Sequence, residues 1–347
     1  MRINTTSVLA ALISAALATG CANPKSADPQ KIPPPPKSAP EVPKARPVAL
    51  SPQLRAQAKS VLASAGQSRD PVLRANAVEG MQRSLGTAYR AEIVAALEDE
   101  SPLVRFSAEM ACGYLKLDEA KPTILKLVKD TSPHGRIGAI YVLHRLGDTT
   151  HSHELERMAK DPSPSVRADT AMILGRLGEP SALKILHVMQ TDRENPVLLA
   201  VAEAMWRLHD QDGLTVLIAG TVSAHPDDQI VCLLALAGPR DDRVIEHIRG
   251  QLVNDYPEVG LVAARALGEL GSDEGYTIAV RGTRSTDARQ RSLAAFALGA
   301  IGRSDAQITL MPLLRDRDPN VRLAGAVAIL QLRAPGSDQR VSRAVFD

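Results

Sequence analysis

Apolar positions recur along this chain with a fixed stride. Leu115, Leu146, Leu177, Leu208, Leu270, Ile301 and Leu332 stand on one 31-residue register, and Ile93, Ile124, Leu155, Leu186, Leu217, Ile248 and Leu310 stand on a second. Within one stride Val166, Ala171, Leu174 and Leu177 follow at short mixed spacings near helical period, which marks one apolar face. Each stride therefore predicts two helices, A and B, carrying the first and second columns.

Polar residues mark the ends. Pro71, Pro102, Pro133, Pro164, Pro226, Pro257 and Pro319 share a register with Asn195 and Ala288. Proline suits a first helical turn, where its missing N–H would have had no partner. One residue earlier, Asp70, Ser101, Ser132, Ser163, Asp287 and Asp318 are expected N-caps, and Gly178 is an expected C-terminal stop. Such repetition overrides the two-domain expectation that 347 residues would otherwise suggest. The expected fold class is all-α, an α-solenoid of about nine 31-residue helix-turn-helix units over residues 71–334. Residues 51–70 read as a lone B-like capping helix, because Leu62 lies 31 residues before Ile93, and 335–347 read as a tail or partial capping helix.

A polar register accompanies the apolar ones. Arg74, Arg105, Arg136, Arg167, Arg291 and Arg322 follow the proline column by three residues, and units close on Asp99, Asp130, Asp161, Asp192 or Asp316. A guanidinium bonds two acceptors at once, so these residues are expected to join neighbouring units as a ladder. Leu198, Gln229 and Gly260 replace the arginine in units five to seven, where the ladder is expected to be missing.

This pattern resembles the HEAT repeats, most closely the short HEAT-like repeats named after phycobilisome lyases, whose units run D-P-x-V-R-x-x-A-A-x-x-L-G-x-L-G-D. Asp161–Pro180 and Asp318–Leu332 are the nearest copies. The resemblance implies that helix A lines the convex face and helix B the concave face, with the repeated arginine and aspartate between units.

Upstream of the repeats, residues 1–20 have Arg2, an apolar run from Val8 to Ala18 and small residues after it, as a secretory signal peptide does. Ala18-Thr19-Gly20-Cys21 resembles the lipobox of bacterial lipoproteins, which implies lipidation (palmitate and related acyl chains) at Cys21. Ala22 in place of aspartate implies sorting to the outer membrane, facing the periplasm. Residues 21–50 are proline-rich and read as an extended tether.

Composition narrows the function. With 41 basic and 39 acidic residues, a net charge of +2 and 3% aromatics, the chain offers neither a basic field nor stacking platforms, so no nucleic-acid partner is expected. Cys112 and Cys232 fall four units apart, about 40 Å along a stack, beyond the roughly 7 Å Cα reach of a disulfide, and read as buried thiols. All eight histidines lie between His134 and His247. His151 and His153 are two apart, unlike the i, i+4 pair of a zinc helix. His153-Glu154 resembles one His-Glu dipeptide of the di-iron hydroxylases built on related repeats, which need several. No nucleophile has a placed base, so no catalytic residue, metal or cofactor is expected. The function expected is a protein-interaction scaffold in the bacterial cell envelope, membrane-bound through its lipid alone and monomeric apart from its partner. Its binding residues would be Lys126, Lys129, His153, Arg157, Lys160, Lys184, His187 and Arg249 on the B helices. Trp206 stands where other units have Gly175, Gly268 and Gly299, and reads either as a partner anchor or as filler between stacked units. The alternative function is a metal-binding protein or enzyme, bilin-lyase-like or with a His/Glu site, using the histidine-bearing middle.

Overall fold

The computed structural model describes residues 42–46 and 48–334. The signal peptide, Cys21 and residues 335–347 lie outside the described residues. Numbered along the chain, the helices are α1 (Pro52–Gly66), α2 (Pro71–Leu85), α3 (Arg90–Ala95), α4 (Pro102–Leu115), α5 (Lys121–Leu127), α6 (Pro133–Arg145), α7 (Glu154–Met158), α8 (Pro164–Leu177) and α9 (Leu183–Met189). They continue with α10 (Asn195–Arg207), α11 (Gln211–Gly220), α12 (Pro226–Ala237), α13 (Ile245–Gly250), α14 (Pro257–Glu269), α15 (Tyr276–Gly282), α16 (Ala288–Ile301), α17 (Gln307–Leu310) and α18 (Pro319–Gln331). Even-numbered helices are the A helices and odd-numbered ones the B helices, which are shorter except for α1, and no strand occurs among the described residues.

The register explains the packing. Ile93, Ile124, Leu155, Leu186, Leu217, Ile248 and Leu310 are all at most 1% exposed, each fixing a B helix against the A layer. Burying such a side chain contributes about 1.5–3 kcal/mol. In six of the nine A helices one packing column is alanine, and Ala111, Ala204, Ala235, Ala266, Ala297 and Ala328 are fully buried, while Val142 and Ile173 hold the same register in α6 and α8.

The stack does not end where an open solenoid would. Each A helix packs against the next, and α18 packs against both α1 and α2, closing a ring. A Cβ at Gly80 of α2 would lie 2.7 Å from Val327 of α18, so the seam is as tight as the other joints. Helix α1 was expected to cap an apolar end. Instead it occupies the B position beside α18, so the first helix of the chain completes the ninth unit begun by the last. Among the described residues nine A helices form the inner wall and nine B helices the outer one.

Closure reverses the expected facing. A helices are buried around nearly their whole circumference, as in the unbroken run Leu73–Met81. The exposed large apolar residues Leu125, Val188, Val216, Val253 and Ile308 lie on B helices or just beyond them. Helix B therefore faces outward, and among the described residues the B helices line the outer, convex face and not a concave one. The tether boundary also shifts. Arg46 N–H donates to Asp305 Oδ2 at 3.3 Å, Val48 N–H to Ser304 Oγ at 3.3 Å, and Gln307 Nε2 to Ala49 O at 2.8 Å. Part of the segment before residue 50 is thus a strap across the last complete unit.

The Arg–Asp register forms bonds at both ends. Arg167 donates to both oxygens of Asp192, at 2.7 and 2.9 Å, and to the carbonyls of Asp161 and Pro162 in the loop before its helix. Arg74–Asp99, Arg105–Asp130 and Arg291–Asp316 repeat this geometry. Arg136 and Arg322 make the carbonyl bonds: Arg136 to Asp130 O and Thr131 O, Arg322 to Asp316 O and Arg317 O. The aspartates have a second task. Asp99, Asp130 and Asp161 accept the N–H of Ser101, Ser132 and Ser163 at 2.8 Å. Those three serines make no side-chain cap bond themselves, unlike Asp70, Asp287 and Asp318. A carboxylate two residues upstream already orients the turn.

Nor is the ladder wholly absent in the middle. Asn254 Nδ2 donates to Gln229 Oε1 at 2.9 Å, and Gln229 Nε2 to Ser223 O at 2.6 Å. An amide pair thus replaces the ion pair at the same two positions. Where the arginine becomes Leu198 or Gly260, the acid becomes Ser223 or Ser285, whose hydroxyls still accept the N–H of His225 and Asp287.

Candidate functional site

The B helices present the accessible chemistry. Between α7, α9 and the loop entering α10 lies a groove of about 730 Å³, within the size range of ligand sites. Buried Ala159 and Met189 line it, with half-buried Ile185 and the 66%-exposed Val188. The rung Arg167–Asp192 forms part of the same wall, so that side of the groove is held rigid. The Arg167 hydrogen bond holds the Asp192 carboxyl below the usual carboxylate range despite partial burial. Lys160 and Lys184 also line the groove. Lys160 meets Glu156 at 3.4 Å on the surface, a weak pairing in water, while Lys184 makes no ion pair among the described residues.

Of the residues expected to bind a partner, the structure brings Lys160 and Lys184 into this groove and scatters the rest. Lys126, Lys129, His153, Arg157 and His187 are exposed outside its lining. Arg249 is engaged with the fold: it bridges Glu246 and Glu274, which raise its pKa, with Glu274 Oε1 at 2.9 Å. Trp206 is fully buried, and its Nε1 donates to Leu236 O at 3.2 Å. Its indole is enclosed within the fold and presents no surface to a partner.

Metal chemistry finds no cluster. Among the described residues no three of His, Cys, Asp and Glu could hold an ion together. His153 Nδ1 lies 3.0 Å from Thr150 O, and His151 Nδ1 2.8 Å from Glu154 Oε1. Cys112 and Cys232 are unpaired and buried, and burial pushes both thiols up to about 12, which leaves them inert. No helix among the described residues is long and apolar enough to cross a membrane.

The family of HEAT repeats matches residues 91–160 and 153–237. Residues 91–237 are HEAT repeats. No curated protein matches the chain. Among solved structures, the HEAT ring is similar to a chain of the complex of CpcE and CpcF of phycocyanin lyase from Nostoc, at 21% identity over 70% of this chain and 97% of that one, TM-score 0.44. Human deoxyhypusine hydroxylase in complex with glycerol is 18% identical over 80% of this chain and 96% of that one, TM-score 0.36. The Escherichia coli protein YibA is 17% identical over 75% and 99%, TM-score 0.33. These TM-scores are low, and none bears on what this chain does.

The HEAT ring also gathers side chains that the sequence reading passed over. Twelve residues past the proline column stand Arg83, Tyr114, Arg145, Arg176, Arg207 and Glu269, all half-buried at the C-terminal ends of A helices. Arg83 of α2 reaches Glu269 of α14 at 3.6 Å, joining units that are not neighbours. The signal was present as a fourth column, but it becomes a site only when the stack closes and its ends face one another.

Proposed function

We propose that the protein is a membrane-tethered interaction scaffold of the bacterial envelope, holding an extended segment of a partner protein in the groove between α7 and α9. The carrying observation is the groove: rigid on one wall through Arg167–Asp192, apolar at Ala159 and Met189, and rimmed by Lys160 and Lys184. Such a surface suits a short segment with apolar side chains next to an acidic one. The lipobox-like residues before Cys21 support anchoring, and Ala22 supports the outer membrane.

Crosslinking in the native envelope, followed by identification of captured proteins, tests this reading. A specific partner is expected with the natural sequence and lost with Lys160→Glu/Lys184→Glu. Capture that is unchanged by both charge reversals contradicts the groove. Fractionation of Cys21→Ser tests the anchor separately, with release from the membrane as the expected outcome.

A further inference from the structure

Guanidinium groups crowd the mouth of the ring where the inner helices end. Arg83, Arg145, Arg176, Arg207 and Arg265 stand on those helices, and Arg240 and Arg333 follow α12 and α18. Three carboxylates, Glu79, Glu203 and Glu269, stand against these seven cations. Tyr114 lies in the field of Arg240, Arg83 and Arg176, which come from three other units, so the charges share one small volume.

The carboxylates are already engaged. Glu79 accepts from Arg83 at 2.9 Å, Glu203 from Arg207 at 3.0 Å and Glu269 from Arg265 at 3.0 Å. Arg145 and Arg333 turn to helix-end carbonyls, Gly113 O at 3.2 Å and Ile301 O at 2.7 Å. Arg176 is different. Its Nε is buried with no hydrogen-bond partner, and burial followed by the charge of Arg207 pushes its pKa down. Leaving a charged donor unsatisfied in such a place is costly. The mouth is open to water, with the side chains of Arg83, Arg207 and Glu269 exposed by 29, 26 and 28%.

We propose that this mouth binds a small polyanion bearing phosphate or carboxylate groups, with one oxyanion seated on Arg176 and Arg207. A planar guanidinium fork presents parallel donors to such an oxyanion, and partial exclusion of water strengthens the contact. The competing arrangement is internal. The inner helices direct C-terminal ends toward this mouth, and each end carries up to about half a negative charge, which can offset the excess cations without a ligand.

Titration calorimetry on the full chain in detergent, at constant ionic strength, separates the two. The probes are inorganic phosphate, pyrophosphate and citrate, with chloride as the reference anion. Saturable binding of at least one probe is expected, weakened about tenfold or more by Arg176→Gln and unchanged by Arg157→Gln on the outer surface. Arg176→Lys keeps the charge and loses the fork, so it should bind with intermediate affinity and serves if Arg176→Gln does not fold. A stronger response to pyrophosphate assigns the site to phosphate, and a stronger response to citrate assigns it to carboxylate. No saturable binding by any probe, or binding that survives loss of the Arg176 fork, overturns the proposal and leaves the arginines as partners of the helix ends. The outer groove plays no part in this result.

Discussion

Arg303 donates its Nη1 hydrogen to the carbonyl of Pro43, 260 residues earlier in the chain, at 2.7 Å. The same side chain pairs with Asp305 at 2.8 Å and Asp273 at 3.2 Å, and lies 3.7 Å from the centre of the Tyr276 ring. It therefore clasps the N-terminal strap to the last complete unit. Arg303→Ala removes the clasp and leaves Asp305 unbalanced. A loss of about 2–4 kcal/mol is expected in denaturant unfolding, with a smaller loss for Arg303→Lys. Unchanged stability would show that the strap is incidental.

The rungs predict an acid limb. Asp99, Asp192, Asp305 and Asp316 all have carboxyls held below the ordinary range by arginine partners, against an opposing push from burial. A depressed folded-state pKa gives stability that is complete above the unfolded value, roughly pH 4, and is lost as pH falls through the folded value. The rungs' share of thermal stability should thus be constant from pH 7 to about 4 and drop below it, and Arg167→Ala should shrink that acid-side drop. A drop of unchanged size in Arg167→Ala would remove the rung from the cause.

Glu109 predicts the opposite slope. Both of its carboxylate oxygens are buried without a partner, and burial, with Asp130 adding to it, raises its pKa well above the usual range. The folded state holds this proton, so its contribution falls as pH rises from the unfolded value toward the folded one. Glu109→Gln should match the natural protein near pH 4 and exceed it by about 1–3 kcal/mol near pH 8. Equal stability at both pH values contradicts a buried proton there.

The Gln229–Asn254 pair predicts coupling. Gln229→Arg alone places a guanidinium opposite an amide, and Asn254→Asp alone leaves a carboxylate opposite one. Together they rebuild a charged rung, so a double-mutant cycle should give about 1 kcal/mol or more of favourable coupling. Additive effects would mean that this joint differs in geometry from Arg167–Asp192.

Much of this fold was written in single columns. The proline column placed the A-helix starts, and the arginine and aspartate columns named residues that do meet. Trp206 was not decidable from its column, because an indole opposite small neighbours can fill space or protrude, and burial decided for filling. Its emission should be blue-shifted and resist iodide quenching. Closure was the larger omission. Whether α1 caps an end or completes α18 depends on the accumulated turn over nine units, a sum of small rotations that no single residue records. Arg83 and Glu269 looked unrelated for the same reason, since their distance exists only in the closed ring.

Closure is also the claim most open to direct measurement. Spin labels at Lys59 on α1 and Ile308 on α17 occupy exposed positions on the first and last B helices. Cys21, Cys112 and Cys232 are replaced beforehand. The closed ring makes those helices neighbours, about 10 Å between axes, so electron–electron double resonance should give one narrow distribution near 15–25 Å with label linkers included. An open nine-unit stack would set them about eight helix spacings apart, roughly 80 Å, and a broad distribution at such distances would contradict the ring.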